Sequence, residues 1–262
     1  MTAIEPKPTA HPARWSASVL DGIEAVLADF GPSPERFAEL PSPKMFDPYA
    51  GTLERLHTRF SRDWNVFGSE IEFEWADQHP NTIHGDCVEV MKGMAEYGEL
   101  VTAVVTSPTY GNRMADQSML PGVGAGARHT YNTYAFKLGK RLSALNTGAT
   151  QWDNKTGRSY RRLHRAAWAA AWEIIEPGGL LIVNVSDHIR GGEVAPVVAW
   201  HRDTITNMRS VGGQIPFEVK VDTPRQRQGA NGDLRVECEW ILMWRKPDVT
   251  RRRVRRSSPG QG

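Results

Sequence analysis

Cysteine is scarce in this chain of 262 residues, which contains only Cys87 and Cys238. The two cysteines lie far apart, form no Cys-x-x-Cys pair and have no histidines at ligand-like spacing beside them, so no metal site is predicted. Such cysteine usage fits a reducing, cytoplasmic setting. No apolar run approaches the roughly 18 residues of a membrane-spanning helix, and no signal-peptide core follows Met1. The sequence therefore predicts no membrane partner.

Net charge is small, at +2, which excludes a strongly basic nucleic-acid-binding domain as the body of the protein. The positive charge is concentrated instead in the arginine-rich residues 251–256. We predict that this tail is disordered; it either adds sequence-independent affinity for DNA or is only a solubilising tail. Hydrophobic residues make up 40% of the chain and include nine tryptophans, which is enough for one sizeable core.

The amino-terminal region has the pattern of a short helical extension. Apolar residues at helical spacing predict a helix from Trp15 to Phe30, with Ser18 as its cap and Gly31 at its end. Ser33, followed by Pro34, predicts the start of a second helix. The predicted organisation is a partly disordered appendage at 1–43, a main domain at 44–250 and the basic tail at 251–262.

Strand and helix patterns alternate through the main domain at the spacing of βαβ units. A first strand begins at Met45, and further strands are predicted at 65–71, 82–86, 101–105 and 180–185, with a closing pair at 217–221 and 236–244. Long helices are predicted at 161–176, ended by Pro177-Gly178-Gly179, and at 194–208. We therefore expect an α/β fold with a doubly wound, Rossmann-like sheet of about seven mostly parallel strands and a final antiparallel strand.

Three successive strands end in acidic residues, Asp47, Glu70 and Asp86. Parallel strands end at the same edge of a sheet, so these side chains should converge on one crevice, where such sheets bind ligands. Glu70 can accept both hydroxyls of a ribose, and Asp86 can accept from the exocyclic amine of adenine. The alternatives are that Glu70 and Glu72 are solvated charges and that Asp86 caps the next helix, with or without a binding role.

The fourth strand, Val101 to Val105, ends abruptly in Thr106 and the turn Ser107-Pro108-Thr109-Tyr110. Taken alone, this sequence is also typical of an ordinary exit from a strand, because serine, proline and threonine are common turn residues. The three acidic strand ends upstream, in this order, favour a functional edge over a plain turn.

Together these segments resemble the S-adenosylmethionine-dependent DNA amino-methyltransferases, over roughly residues 44–246. Residues 46–52 resemble the cofactor loop, D-P-F-x-G-x-G, and residues 106–110 resemble the catalytic motif, [D/N/S]-P-P-[Y/F]. Two positions depart from these motifs. Leu53 replaces the second glycine of the loop, so that its side chain crowds the methionine end of the cofactor or the loop takes a different path. Thr109 replaces the second proline, which loosens the turn.

The resemblance implies a Rossmann-like methyltransferase fold, S-adenosylmethionine as the cofactor and double-stranded DNA as the partner, with the target base flipped out. It implies cofactor contacts from seven residues: Phe46, Asp47, Tyr49, Gly51, Glu70, Asp86 and Thr106. An exocyclic amine is a poor nucleophile, so catalysis needs acceptors that take up its developing positive charge. The Ser107 hydroxyl and the Pro108 carbonyl would be these acceptors, and Tyr110 would stack on the base.

A long polar insert at 111–157 follows the catalytic motif and is predicted to be a DNA-contacting lid, with an irregular surface insertion as the alternative. Its glycines are not followed by the Gly-Lys-Ser/Thr of a phosphate-binding loop. A second Arg- and Gln-containing loop precedes the last strand, where a simple hairpin connection is the alternative. Predicted DNA contacts are Arg113, Arg128, Lys137, Arg225 and Arg227.

The resemblance also implies a slight preference for cytosine N4 as the methylated atom, because the family uses a Ser-Pro motif somewhat more for cytosine N4, although its adenine N6 enzymes use it too. Two other functions stay open on sequence grounds: an amino-methyltransferase acting on RNA or a free nucleotide, and a non-catalytic DNA- or partner-binding protein on a degenerate methyltransferase fold. The protein is expected to be a monomer or a homodimer.

Overall fold

The computed structural model describes residues 15–32, 42–109, 138, 142–143, 145–147, 160–190, 193–223, 236 and 238–248. The helices are α1 (Ala17–Phe30), α2 (Glu54–Phe60), α3 (Phe73–Ala76), α4 (Cys87–Glu96), α5 (Tyr160–Ile174) and α6 (Val197–Thr206). The strands are β1 (Lys44–Asp47), β2 (Asn65–Glu70), β3 (Thr82–His84), β4 (Val101–Thr106), β5 (Ile175–Val185), β6 (His188–Arg190), β7 (Glu193–Ala195), β8 (Phe217–Asp222) and β9 (Cys238–Arg245).

Seven strands form one sheet in the order β3-β2-β1-β4-β5-β9-β8. Pairing is parallel from β3 through β5, and β9 pairs antiparallel with both β5 and β8. The final strand is therefore the one that runs against the others in this sheet. The predicted α/β sheet of about seven mostly parallel strands with a final antiparallel strand is confirmed. Strands β6 and β7 form a separate hairpin that the sequence pattern did not predict.

Both faces of the sheet are covered, as expected for a parallel sheet. One face packs with α1 and α2, and the other packs with α4, α5 and α6. All six residues of β4, at the centre, are buried. No helix in the described part of the chain combines the length and the apolar character needed to cross a membrane.

Helix α1 packs closely on β8 and β9, where a Cβ added to Gly22 would lie 2.7 Å from the Cδ1 atom of Ile241. Its cap is Ser16, whose hydroxyl oxygen accepts from the Val19 N–H at 3.2 Å. The predicted cap, Ser18, is wrong, because it already lies inside the first turn. The predicted end at Gly31 is confirmed. The second predicted helix, from Ser33, lies outside the described residues.

Strand β5 begins earlier than predicted, because Pro177-Gly178-Gly179 lie within it and α5 ends at Ile174. Gly178 has a φ of 80°, and the pairing of β5 with β4 shifts register at this point. A Cβ on Gly179 would lie 2.7 Å from the Thr102 carbonyl oxygen. The glycines therefore allow β5 to approach β4 with an irregular register, instead of ending the helix.

Candidate functional site

A cleft that opens to solvent lies at the carboxyl ends of β1, β2 and β3. It brings together three of the predicted cofactor contacts, Tyr49, Glu70 and Asp86. The other lining residues are Pro48, Ser69, Ile71, Trp75, Gly85, Cys87, Val88, Leu145, Asn146, Thr147 and Leu163. The predicted convergence of strand ends on one crevice is confirmed for Glu70 and Asp86.

Asp47, at the end of β1, is buried next to this cleft. Its Oδ1 atom accepts from the Thr106 hydroxyl at 2.6 Å and from the Tyr49 N–H at 2.9 Å. Burial raises the pKa of the Asp47 carboxyl to about 7, although both hydrogen bonds act to lower it. These bonds join the loop after β1 to the end of β4, one residue before Ser107.

Phe46 lies in the core, on the face of the sheet that α4, α5 and α6 cover, where its ring centroid is 5.2 Å from that of Phe67. It is not among the residues that line the cleft. Its proposed contact with the cofactor stays a prediction, and the contact that the structure shows is a packing contact.

Glu70, at the end of β2, has its carboxylate buried at the wall of the cleft. Its Oε1 atom accepts from the Glu72 N–H at 2.8 Å. Burial, and to a smaller extent the Glu72 charge, raise the pKa of Glu70 to about 7, while N–H groups including that of Gly51 lower it. A carboxylate in such a dry position is a strong acceptor for hydroxyl groups of a ligand.

The loop between β1 and α2 contains two residues with positive φ, Gly51 at 55° and Leu53 at 56°. Glycine adopts this conformation freely, whereas leucine is strained in it. The Leu53 side chain is 2% exposed and packs in the core with α1 and α2, so it does not crowd the cleft. The loop therefore has a glycine-like backbone at the position where the motif has glycine.

This conformation predicts an unusual order of stability for two variants. We expect Leu53→Gly to be more stable than Leu53→Ala, because glycine relieves about 1–2 kcal/mol of left-handed strain that alanine retains. At Leu56, inside α2, the order should reverse, since glycine is less favourable than alanine there by about 1 kcal/mol. Urea unfolding of the four variants measures both differences. The same order at both positions would contradict a strained Leu53.

Asp86 caps α4 and lines the cleft at the same time. Its Oδ1 atom accepts from the N–H groups of Val88 at 3.0 Å and Glu89 at 3.2 Å. The capping alternative is thus confirmed, and a contact with adenine stays a prediction. Cys87, the first residue of α4, has a pKa raised to about 12 by burial, so its thiol is protonated.

Tyr49 presents a buried phenol oxygen beside the Cys87 thiol, and this oxygen forms no hydrogen bond of good geometry with the described residues. Burial and the neighbouring Cys87 thiol raise its pKa well above the usual value, so the phenol remains a hydrogen-bond donor. A buried donor without a partner is costly unless a ligand or water satisfies it. Because Tyr49 lines the cleft, this atom marks a polar contact point for a ligand.

The Tyr49 ring packs against a cluster of aromatic rings and neutral histidines. The Tyr49 ring lies 5.4 Å from that of His164 and 6.3 Å from that of Trp168. Trp168 Nε1 donates to His201 Nδ1 at 3.1 Å. Because Nδ1 is therefore the acceptor, the proton of neutral His201 lies on Nε2. Nε2 is 2.6 Å from the Tyr160 phenol oxygen. Burial lowers the pKa of His164 to about 4 and that of His201 well below the usual value.

Glu72 holds the end of the insert against the cleft. Its Oε1 atom accepts from the Ser143 N–H at 2.8 Å and from Asn146 Nδ2 at 2.9 Å, and its Oε2 atom accepts from the Ser143 hydroxyl at 3.2 Å. Glu72 is 1% exposed, so the alternative that it is a solvated charge is wrong. Residues 145–147 therefore form a wall of the cleft, a role that nothing in their sequence pattern indicated.

Ser107 follows β4 and lies in a polar cluster at the same edge of the sheet. Its hydroxyl oxygen accepts from Asn184 Nδ2 at 3.3 Å, and the same nitrogen donates to Glu239 Oε2 at 2.6 Å. Sequence analysis missed both partners, although a polar residue inside each of the apolar runs of β5 and β9 was a signal. Pro108 is buried beside Ser107.

The third predicted catalytic residue, Tyr110, lies outside the described residues. So do all five predicted DNA contacts: Arg113, Arg128, Lys137, Arg225 and Arg227. Within the described ranges, no three His, Cys, Asp or Glu side chains come together as metal ligands.

Comparison with solved structures finds a similar chain in an S-adenosylmethionine-dependent methyltransferase from Agrobacterium tumefaciens. The TM-score is 0.50 and the identity 9%, over 88% of this chain and 63% of the other, so this chain spans less than two thirds of that enzyme. The predicted methyltransferase fold is confirmed. The sequence itself matches no protein-family model and no curated protein.

Two further structures are similar at lower scores. One is a putative class I S-adenosylmethionine-dependent methyltransferase from Listeria monocytogenes, with a TM-score of 0.47 and 15% identity over 89% of this chain and 61% of that one. The other is a putative RNA methyltransferase from Pyrococcus horikoshii, with a TM-score of 0.45 and 12% identity over 93% and 91% of the two chains.

Proposed function

We propose that this protein transfers a methyl group from S-adenosylmethionine to the exocyclic amine of a flipped-out DNA base, with cytosine N4 preferred to adenine N6. The observation that carries the proposal is that the cleft and the predicted catalytic residue Ser107 are connected. The cleft that contains Tyr49, Glu70 and Asp86 is joined through the Asp47–Thr106 hydrogen bond to Ser107. A binding site for a nucleoside and a candidate acceptor for an amine therefore share one edge of the sheet.

The residues present fit an adenosine-bearing cofactor. The cleft is lined by both apolar and polar side chains, as small-molecule sites commonly are. Glu70 offers a carboxylate for two ribose hydroxyls, and apolar side chains such as Ile71 and Val88 can pack against the faces of a purine. The Tyr49 phenol offers a hydrogen-bond donor. When bound, S-adenosylmethionine supplies an electrophilic methyl group on a positively charged sulfur.

The residues at the end of β4 would act on the acceptor amine. The Ser107 hydroxyl oxygen and the Pro108 carbonyl accept hydrogen bonds from the amine and stabilise the positive charge that develops there in the transition state. Tyr110 stacks on the flipped base, a contact typically worth about 1–3 kcal/mol. Asp47 would act indirectly, because its bond to Thr106 fixes the end of β4 relative to the cofactor loop.

The choice of DNA as the substrate is supported by sequence alone. The Ser-Pro-x-Tyr motif resembles that of DNA amino-methyltransferases, and basic residues are available at the predicted contacts in the insert, in the Arg225 loop and in the tail. Positive charges grouped in these segments can bind the phosphate backbone of DNA while one base is flipped out of the duplex.

The decisive experiment incubates the protein with S-adenosylmethionine carrying a labelled methyl group and, separately, with double-stranded DNA, RNA and free nucleotides. Each sample is digested to nucleosides and analysed by mass spectrometry. We expect labelled N4-methylcytosine from DNA, and labelled N6-methyladenine would move the target to adenine. Label only in RNA or nucleotides would contradict the DNA substrate, and no label together with no cofactor binding in calorimetry would contradict an enzyme.

Replacing Ser107 with alanine tests the acceptor role. We expect kcat to fall about 10- to 100-fold, because one transition-state hydrogen bond to a charged group is lost, typically 1.5–3 kcal/mol. The Kd for S-adenosylmethionine should stay within about twofold, since Ser107 does not line the cleft. Single-turnover kinetics and calorimetry provide the two values. The exposed Ser210→Ala variant is the matched control, and equal loss of kcat in both variants would rule out the role.

A further inference from the structure

Three polar side chains form a chain of hydrogen bonds across the edge of the sheet, from β4 through β5 to β9. Thr106 pairs with Val183, which places Ser107 beside Asn184. Asn184 pairs with Ile241, and Glu239 lies two residues earlier on β9, on the same face of the sheet. The distances are 3.3 Å from Asn184 Nδ2 to Ser107 Oγ and 2.6 Å from Asn184 Nδ2 to Glu239 Oε2.

The chemistry of the three side chains determines which groups donate and which accept in these hydrogen bonds. An ionised carboxylate only accepts hydrogen bonds, so the amide nitrogen of Asn184, and not its oxygen, faces Glu239. The second N–H of the same nitrogen is then available to Ser107 Oγ. A hydroxyl oxygen has two acceptor positions, and Asn184 occupies one of them. The orientation of the Ser107 hydroxyl is thus set by a buried amide that Glu239 holds in place.

We propose that Glu239 provides a negative charge at the catalytic edge and acts through Asn184 on Ser107. Glu239 and Asn184 are then positioning residues. This inference rests on the proposed methyl transfer and adds to it two residues from strands far along the chain. The motif at Ser107 also admits aspartate, which brings its own negative charge. With serine at this position, a carboxylate two hydrogen bonds away provides that charge.

A negative charge at this edge favours the transition state because positive charge moves from the sulfonium sulfur to the amine nitrogen during transfer. Transfer breaks the bond between methyl carbon and sulfonium sulfur and leaves its electron pair on sulfur. The lone pair of the amine forms the new nitrogen–carbon bond, and the nitrogen carries the positive charge until it releases one proton to solvent. Glu239 lies on the nitrogen side of this shift, beyond Ser107, so its charge stabilises the product side more than the starting side.

The variant Glu239→Gln removes the charge and keeps an oxygen that can accept from Asn184. We expect a fall in kcat of about tenfold with little change in KM, the split that an effect confined to the transition state produces. The melting temperature should stay unchanged, which a purely structural role would not predict. In the double variant Ser107→Asp/Glu239→Gln, the negative charge returns at position 107 itself, and kcat should recover to within about threefold of the wild type.

A binding measurement tests the same charge without any nucleic acid. Sinefungin carries a protonated amine in place of the transferred methyl group, whereas S-adenosylhomocysteine has no charge there. We expect the ratio of the sinefungin affinity to the S-adenosylhomocysteine affinity, measured by calorimetry, to fall about threefold or more in Glu239→Gln. The ratio should stay constant in Glu96→Gln, a variant of the exposed last residue of α4.

The two proposals fail in different ways. An unchanged affinity ratio together with an unchanged kcat in Glu239→Gln would overturn the role of Glu239. A wild-type protein that leaves DNA unmethylated would overturn the proposed substrate, while a reduced affinity ratio in Glu239→Gln would still support the charge at this edge.

Discussion

Replacing Glu70 with glutamine should weaken S-adenosylmethionine binding about 100-fold at roughly pH 8, because two charge-assisted hydrogen bonds to ribose hydroxyls would be reduced to neutral ones. Glutamine retains an oxygen that can accept from the Glu72 N–H, so the end of β2 should keep its conformation. Calorimetry measures the Kd. The exposed Glu74→Gln variant on α3 is the matched control, and a similar Kd in both variants would contradict a ligand at Glu70.

The raised pKa of Glu70, about 7, adds a pH dependence to this prediction. Binding needs the ionised carboxylate, so the wild-type affinity should fall about tenfold between roughly pH 8 and pH 6, and the dependence should be weaker in Glu70→Gln. An affinity that is constant across this range in the wild type would contradict the role of the carboxylate.

Stability of the ligand-free protein should change with pH in the opposite direction. At Glu70, the folded state binds more protons than the unfolded chain between the ordinary carboxyl pKa of 4.5 and the folded pKa of about 7. The same holds for Asp47 between its ordinary pKa of 3.8 and its folded pKa of about 7. The free energy of unfolding should therefore fall as pH rises through this window. Urea unfolding at several pH values measures the slope, which Glu70→Gln should reduce.

Truncating His201 to alanine should lower the free energy of unfolding by about 3–5 kcal/mol, the largest stability effect that we expect from one polar side chain. The Trp168 N–H loses its acceptor, the Tyr160 phenol loses its bond to His201, and a cavity opens between α5 and α6. The melting temperature should fall by about 6–20 °C.

The matched control is His57→Ala, because His57 is a half-buried histidine outside this cluster. This variant should lower the free energy of unfolding by less than about 1 kcal/mol. Thermal and urea unfolding of both variants provide the comparison. A loss at His201 no larger than the loss at His57 would show that its two hydrogen bonds contribute little. The effect on Tyr49, which packs on the same cluster, can be followed as a change in cofactor affinity.

The parts of the fold that the sequence predicted are those decided by local periodicity. Buried parallel strands are short apolar runs, and their polar ends mark the edge at which ligands bind, so Glu70 and Asp86 were placed correctly at the cleft. The start of α1 was misplaced by two residues, because Ser16 and Ser18 are both suitable caps and only the backbone geometry distinguishes them.

The parts that could not be predicted depend on partners far along the chain. Glu72 contacts Ser143 across 71 residues, and Asn184 contacts Ser107 across 77. No periodicity in the sequence encodes such pairs. The glycines at Gly178 and Gly179 look like a helix stop, and only the approach of β4 shows that they shape the beginning of β5.

Leu53 has a further consequence for ligand binding. The strain of its left-handed backbone, about 1–2 kcal/mol, is no larger than the roughly 1.5–3 kcal/mol gained by burying a leucine side chain, so the core holds the loop in place. A glycine at this position would permit the same turn and many others. The leucine instead pre-organises the loop that borders the cleft, and a ligand that binds there loses less free energy to ordering the protein.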